Sequence, residues 1–133
     1  MDSSAKQMQP KKILIVDDSS SIRQQVSEAL GDAGFSMVEA ADGLEGAETI
    51  HACTELSLVI CDINMPRLSG LEMLDSVKDE LTRRGLPVVM LTTEADPEAI
   101  AQARRAGAKA WLVKPFKDQL LVAVARKLTQ DTP

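Results

Sequence analysis

The segment 58–66, LVICDINMP, is the most informative part of the chain: four apolar residues lead directly into Asp62, and Pro66 follows four residues later. A short apolar run between turn signals is typical of a buried strand. Asp62 should therefore lie where that strand opens into a loop.

A second apolar run, residues 13–16, leads in the same way into Asp17 and Asp18. If the two strands are parallel neighbours, all three carboxylates meet at the carboxyl edge of one sheet, where such sheets bind their ligands. Like charges at that distance repel each other, and a divalent cation is the usual remedy. The pattern predicts an acidic Mg²⁺ pocket that holds a nucleophilic or phosphate-accepting aspartate.

Apolar runs and segments of helical periodicity alternate along the whole chain. The predicted strands span 12–16, 35–40, 56–61, 87–91 and 109–113, and the predicted helices span 19–30, 42–53, 71–83, 96–107 and 116–128. This alternation predicts a doubly wound α/β fold, with five parallel strands covered by helices on both faces. We expect one domain over residues 11–129, a disordered tail over 1–10 and a short tail over 130–133.

Several polar residues and glycines are expected to set the helix ends. Ser19 or Asp18 should cap the first helix, and Gly31 and Gly34 should end it. Gly85 should end the third helix, which is predicted to be continuous.

The composition narrows the classes of function. The chain has 133 residues, 44% of them hydrophobic and 26% charged, which is ordinary for a soluble globular domain. The net charge of −5 argues against direct nucleic-acid binding, which needs a basic surface. Only Phe35, Trp111 and Phe116 are aromatic, so the core must be aliphatic and base stacking has no platform.

The cysteines and the apolar segments give no indication that the protein is secreted or associates with a membrane. Cys53 and Cys61 are not spaced as a metal-binding pair, and we expect two buried thiols in a reducing compartment, with a disulfide as the alternative. No signal peptide or membrane-length apolar stretch is evident, which predicts a cytoplasmic protein without membrane association. His51 is expected to be a helix-surface residue.

Polar groups follow four of the predicted strands: Asp17-Asp18, Asp62, Thr92-Thr93 and Lys114-Pro115. Each could be an ordinary cap or turn residue. Lys114, however, has no turn role, and acids, a hydroxyl and a cation together suit phosphoryl transfer, which needs positioning and neutralised charge. A carboxylate in such a set can form an aspartyl phosphate.

These residues resemble the receiver domain of two-component response regulators, of the stand-alone chemotaxis-regulator-like type. The resemblance covers about residues 11–129 and rests on the acidic pair 17–18, the segment 62–66 with Gly70 beyond it, Thr92, and the segment 114–116. It implies a flavodoxin-like (βα)5 fold with strand order 2-1-3-4-5.

The resemblance also implies a role for each matching residue. Asp62 would be the phosphoacceptor, and Lys114 and Thr92 would bind the phosphoryl oxygens. The metal set would comprise the side chains of Asp18 and Asp62, the backbone carbonyl of Asn64, and Asp17 acting through water. The Lys114-Pro115 bond would be cis.

Two further positions are implied to tune the switch. Trp111 occupies the place of the family's switch aromatic, which is usually Tyr or Phe, so its rotation is expected to be less free. Asn64 and Glu94 lie two residues after Asp62 and Thr92, where receivers adjust the rate of dephosphorylation. Polar groups there are typical of quickly resetting members.

The output is expected to be protein–protein contact, because no effector domain follows residue 128 in this sequence. In the family, the contact surface is usually formed by the fourth helix, the fifth strand and the fifth helix. Here those elements carry Arg104, Arg105, Lys109 and Lys117. They could be ordinary solvated residues, or they could dock an acidic partner.

The leading functional hypothesis is a stand-alone receiver that accepts phosphate from a sensor histidine kinase or a histidine phosphotransfer protein and then contacts a downstream target. A phosphorelay intermediate and a phosphorylation-independent adaptor are the alternatives. No enzymatic activity is expected beyond self-catalysed phosphotransfer and dephosphorylation. The protein should be a monomer or a weak homodimer.

Overall fold

The computed structural model describes residues 10–65, 68–93 and 97–130, which form five strands and six helices. The strands are β1 Lys12–Val16, β2 Ser36–Ala40, β3 Leu56–Asp62, β4 Val88–Thr92 and β5 Ala108–Val113. The helices are α1 Ser20–Asp32, α2 Gly43–Ala52, α3 Gly70–Ser76, α4 Lys78–Arg84, α5 Pro97–Arg105 and α6 Asp118–Thr129. The predicted tails lie outside the described residues except for Pro10 and Gln130.

All five strands belong to one parallel sheet with the order β2-β1-β3-β4-β5, as expected. Val16 pairs with Cys61, and Asp62 pairs with Leu91. Since the chain order reverses between β1 and β3, their carboxyl ends form the switch point where ligands bind in such sheets. This register sets Asp17 beside Asp62.

Alternate residues of each strand pack into two separate hydrophobic cores, one on each face of the sheet. On one face, Leu14 and Val16 pack with buried residues of the helices α2 to α5. On the other face, Ile13 and Ile15 pack with residues of α1 and α6. Burial on both faces explains why the strands read as continuous apolar runs.

Local capping fixes where the helices begin beside the carboxyl edge of the sheet. The Ser19 hydroxyl caps α1 by accepting a hydrogen bond from the N–H of Ile22 at 3.3 Å. Ser69 and Glu72 form a reciprocal capping box at the start of α3. Such caps satisfy N–H groups that a helix leaves without internal partners.

The predicted continuous helix over 71–83 is wrong, because the chain breaks at Val77 into α3 and α4. The Ser76 hydroxyl donates to the carbonyl of Met73 at 2.7 Å, and the N–H of Val77 is shared between the carbonyls of Met73 and Leu74. A serine that competes in this way for a helical carbonyl bends the helix. Val77 itself stays buried, as the apolar stripe predicted.

The prediction that glycines end the helices is confirmed at Gly85 and wrong at Gly31. Gly85 ends α4 in the left-handed region at φ 60°, as expected. Gly31, in contrast, lies inside α1, which continues to Asp32, and the chain turns at Gly34 with φ 101°. A glycine inside a helix costs about 1 kcal/mol relative to alanine, which does not stop α1 from continuing past Gly31.

Cys53 and Cys61 are both free thiols, so the alternative of a disulfide between them is excluded. Cys61 is buried, whereas Cys53 is only half-buried. Among the described helices, none combines the length and apolar character that crossing a lipid bilayer requires.

Candidate functional site

Asp17 is completely buried at the end of β1, and both of its carboxylate oxygens have partners. Oδ1 accepts a hydrogen bond from the N–H of Ser19 at 2.9 Å, and Oδ2 accepts one from Lys114 Nζ at 2.8 Å. Its backbone N–H donates to the carbonyl of Ala40 on β2 at 3.1 Å. Asp17 is therefore held between β2 on one side and the residue that follows β5 on the other.

Asp62, the last residue of β3, is 5% exposed. Its Oδ1 accepts a hydrogen bond from the N–H of Asn64 at 3.3 Å, and its Oδ2 lies 3.4 Å from Lys114 Nζ. Lys114 thus bridges the carboxylates of Asp17 and Asp62. Asp62 is therefore almost fully enclosed, and each of its carboxylate oxygens lies beside a donor.

Burial, followed by the negative charge of Asp17, raises the pKa of Asp62 above that of an ordinary aspartate. Lys114 and the N–H of Asn64 oppose this rise without cancelling it. For Lys114, burial by itself lowers the pKa, but the hydrogen bond and charge of Asp17, with the charge of Asp62, raise it overall. One lysine therefore does not neutralise the two buried carboxylates.

Asp18, whose side chain is exposed, is the third carboxylate of the acidic set. One carboxylate oxygen from each of Asp17, Asp18 and Asp62 lies within 4.8 Å of the others. Carboxylate oxygens are the ligands that Mg²⁺ prefers, and Mg²⁺ usually takes only one or two of them beside water and phosphate oxygens. The excess negative charge and the oxygen donors of this set fit Mg²⁺.

The remaining predicted residues of the pocket come from β4, β5 and the loop after β3. Thr92, 3% exposed, ends β4, and its carbonyl accepts from the N–H of Lys114 at 2.7 Å. The Lys114-Pro115 peptide bond is cis, as the resemblance implied. The side chain of Asn64 is exposed beside Asp62, and Glu94 lies outside the described residues.

Cys61 precedes Asp62 and takes no part in the polar set. Burial first, and then the charges of Asp62 and Asp17, raise the pKa of its thiol. Its Sγ donates to the carbonyl of Asp62 at 3.3 Å. Cys61 therefore stays a neutral thiol, which agrees with the prediction of a buried apolar residue.

Gly70 allows the first turn of α3 to approach the carboxyl end of β3. Its N–H donates to the carbonyl of Ile63 at 2.9 Å. A Cβ built on Gly70 would lie 2.2 Å from the backbone carbonyl oxygen of Asp62. Only a residue without a side chain fits between the helix and this strand end.

Gly70→Ala should therefore destabilise the fold by about 1–3 kcal/mol, the usual cost of forcing an extra carbon into a packed site. The free energy of unfolding in urea measures the effect. Gly31→Ala is the matched control, since a Cβ there meets nothing within 4 Å. It should be neutral or slightly stabilising, and equal losses in both variants would contradict the close approach at Gly70.

Trp111 lies on the edge strand β5 and is half-buried against the core that α2 to α5 cover. The guanidinium of Arg104, on α5, lies over its ring, with Cζ 4.9 Å from the centroid. This arrangement is a cation–π contact. The indole at the implied switch position is therefore clamped from outside by a residue of the neighbouring helix.

Arg104→Gln should release this contact, shift the fluorescence emission of Trp111 and cost about 0.5–1 kcal/mol of stability. The emission spectrum and the urea midpoint report the two effects. Arg105→Gln removes the same charge one residue away and should leave the emission unchanged. An identical spectrum in the Arg104 variant would contradict the contact.

The four basic residues of the predicted output face, Arg104, Arg105, Lys109 and Lys117, are all exposed. Arg104 and Arg105 occupy the last turn of α5, where cations also complement the helix dipole. Two apolar side chains that were not predicted to belong to this face, Val113 and Leu120, are 42% and 51% exposed on β5 and α6. Alternation along an edge strand could have identified Val113, but no sequence signal marks Leu120.

Comparisons with known proteins agree with this geometry. The family model of the response regulator receiver domain matches residues 13–126. The chemotaxis protein CheY of Pseudomonas aeruginosa is 36% identical over 118 residues, which cover 88% of this chain and 94% of that protein. The chemotaxis protein CheY1 of Helicobacter pylori is 34% identical over 111 residues, which cover 83% and 90%.

A solved structure of the chemotaxis protein CheY4 of Vibrio cholerae superposes with a TM-score of 0.83 and 39% sequence identity. The superposition covers 90% of this chain and 98% of that one. The acidic carboxyl edge and the β2-β1-β3-β4-β5 sheet are thus found together with a family match over most of the chain. The chain belongs to the response regulator receiver domain family.

Proposed function

We propose that this receiver accepts a phosphoryl group on Asp62 in a Mg²⁺-dependent reaction, with a phosphohistidine of a sensor kinase or phosphotransfer protein as donor. The observation that carries the proposal is the bridge of Lys114, 2.8 Å from Asp17 and 3.4 Å from Asp62. This bridge places one cation beside both buried carboxylates. The pocket therefore combines a nucleophilic carboxylate, Asp62, with a lysine cation that can bind the phosphoryl group after its transfer.

In the proposed reaction, an oxygen of Asp62 forms a bond to phosphorus while the bond from phosphorus to the donor imidazole breaks. The histidine leaves as the imidazole and takes its proton from solvent. Phosphoryl transfer of this kind depends mainly on positioning and on neutralising the equatorial oxygens. Attack requires the deprotonated form of Asp62, and a bound cation would favour that form by offsetting the burial and the negative charge of Asp17 that raise its pKa.

Each residue of the pocket has a separate task in this proposal. Lys114 can shift its contact from Asp62 to a phosphoryl oxygen while it remains on Asp17. Thr92 can donate its hydroxyl to another phosphoryl oxygen from the end of β4. Asp17, Asp18, Asp62 and the carbonyl of Asn64 would hold Mg²⁺, which supplies positive charge to the carboxylates and the phosphoryl group.

The signal would leave the molecule through protein–protein contacts, as a chemotaxis-type regulator does. The relatives named chemotaxis proteins support this assignment because they match along nearly their whole lengths. The elements α5, β5 and α6 carry exposed basic residues together with exposed Val113 and Leu120. Basic and apolar groups on these elements suit an amphipathic, acidic segment of a target.

The test uses acetyl phosphate, a small phosphoryl donor, and beryllofluoride, a phosphoryl mimic, each with Mg²⁺ and with a chelator. We expect intact-mass spectra to gain one phosphoryl group only with Mg²⁺. Trp111 fluorescence should change with both reagents. A folded protein that shows neither response would overturn the proposal and favour the adaptor alternative.

A further inference from the structure

The loop between β1 and α1, which carries the acid pair, is held from α1 by one arginine. We propose that Arg23 is a positioning residue for the cation site, because it fixes the peptide unit that joins Asp17 to Asp18. This inference rests on the proposed Mg²⁺ site. It assigns a task to a residue that the strand-end pattern does not include.

Arg23 ties together the loop, α1 and β2. One terminal nitrogen of its guanidinium donates to the backbone carbonyl of Asp17 at 2.7 Å. Its Nε donates to Oε1 of Glu39, on β2, at 3.1 Å. Oε2 of Glu39 accepts from the hydroxyl of Ser27 at 3.0 Å, so the glutamate is anchored in turn. The Arg23 side chain is only 19% exposed, which limits its alternative conformations.

Asp17 and Asp18 depend on this anchor to different degrees. The side chain of Asp17 is already fixed by Ser19 and Lys114. Asp18 is exposed, and within residues 10–65, 68–93 and 97–130 its carboxylate forms no hydrogen bond or ion pair. The position of that carboxylate is therefore set by the backbone from which it projects.

The contact with Arg23 controls that backbone directly. The carbonyl of Asp17 and the N–H of Asp18 belong to one planar peptide unit, so fixing the oxygen also fixes the direction in which Asp18 leaves it. The N–H of Asp17 is bound to Ala40 at 3.1 Å, which holds the preceding peptide unit. With both units fixed, the carboxylate of Asp18 is kept near those of Asp17 and Asp62.

An arginine suits this task and a lysine does not. The contacts to Asp17 and Glu39 use two N–H groups of one planar guanidinium, whose relative directions are fixed. A lysine ammonium is a point charge on a flexible stem and cannot hold both acceptors with the same geometry. Arg23→Lys therefore keeps the charge and loses the positioning.

Replacing Arg23 should change the affinity for Mg²⁺ in opposite directions, depending on whether the arginine acts through its charge or by positioning the backbone. Arg23 places a positive charge beside a site for a divalent cation, so its removal should strengthen Mg²⁺ binding if electrostatics dominated. If positioning dominates, removal should weaken binding. Loss of a residue that orients a metal ligand typically costs about 10–100-fold in affinity.

The experiment is calorimetric titration of Mg²⁺ into the folded protein, below the melting temperature of every variant. We expect Arg23→Gln and Arg23→Lys each to weaken Mg²⁺ binding by about tenfold or more. Arg83→Gln is the charge-matched control: it removes an exposed arginine near the end of α4, at the opposite edge of the sheet, and should bind like the wild type.

Three outcomes would overturn the inference. Tighter Mg²⁺ binding by Arg23→Gln would show that charge dominates, and wild-type affinity in Arg23→Lys would show that geometry is irrelevant. Unchanged affinity of folded Arg23→Gln, with or without a lower melting temperature, would leave Arg23 without a role in the cation site. A wild type that binds no Mg²⁺ would instead remove the proposed site, and this inference with it.

Discussion

Asp62→Asn should abolish phosphoryl uptake from acetyl phosphate while leaving the fold intact. The amide oxygen can still accept from the N–H of Asn64 and from Lys114, but the amide is no longer a nucleophilic carboxylate. The mass gain and the donor-dependent change in Trp111 fluorescence should both disappear. Asp79→Asn, which alters an exposed acid on α4, is the control and should retain both responses.

The stability of Asp62→Asn should depend on pH differently from that of the wild type. Burial and the charge of Asp17 raise the folded-state pKa of Asp62, so the folded protein holds this proton more tightly than the unfolded chain does. The resulting stabilisation is complete below the unfolded value of about 4 and is lost as the pH rises through the folded value.

Without Mg²⁺, the wild type should therefore lose stability relative to Asp62→Asn as the pH is raised from about 4 towards neutrality. Urea titrations of both proteins at several pH values measure the difference in unfolding free energy. Mg²⁺ should reduce this difference, because a ligand that binds only the folded state stabilises it by mass action. Parallel pH profiles would contradict the crowding of charge at Asp62.

Lys114→Met should cost about 3 kcal/mol of stability at neutral pH without Mg²⁺, since it leaves a buried carboxylate without its counter-ion. Asp17 is completely buried, and Lys114 is its cationic partner at 2.8 Å. The raised pKa of Lys114 means that its charge is fully present below about 10.4 and that its contribution is lost only as the pH rises through the folded value.

The loss in Lys114→Met should shrink in acid, where Asp62 takes up a proton and the repulsion falls. Phosphoryl uptake should also slow, because the variant lacks the cation that follows the transferred group. Lys109→Met is the control, since Lys109 is an exposed lysine on β5, the strand that Lys114 follows. Equal urea midpoints for the two variants would show that the bridge contributes nothing to stability.

Much of the fold could be predicted from sequence because its signals are local. A strand buried on both faces must be a continuous apolar run, and helices between such runs leave the parallel arrangement as the usual solution. The predicted strand ends at Asp17, Asp62 and Thr92 then agree with the observed ends to within one residue. The helix break at Val77 did not follow, because an apolar stripe does not reveal that Ser76 takes the carbonyl of Met73.

The residue types at the carboxyl edge follow directly from the order of residues after each apolar run, because that order is covalent. Their contacts arise only in the folded chain: Lys114 reaches Asp17 across 97 residues of chain, and Arg23 anchors the acid pair and contacts Glu39. The packing of Arg104 over Trp111 was decided in the same way. Contacts of this kind depend on strand register and side-chain rotamers, which are fixed only when both cores pack, and no local pattern encodes them.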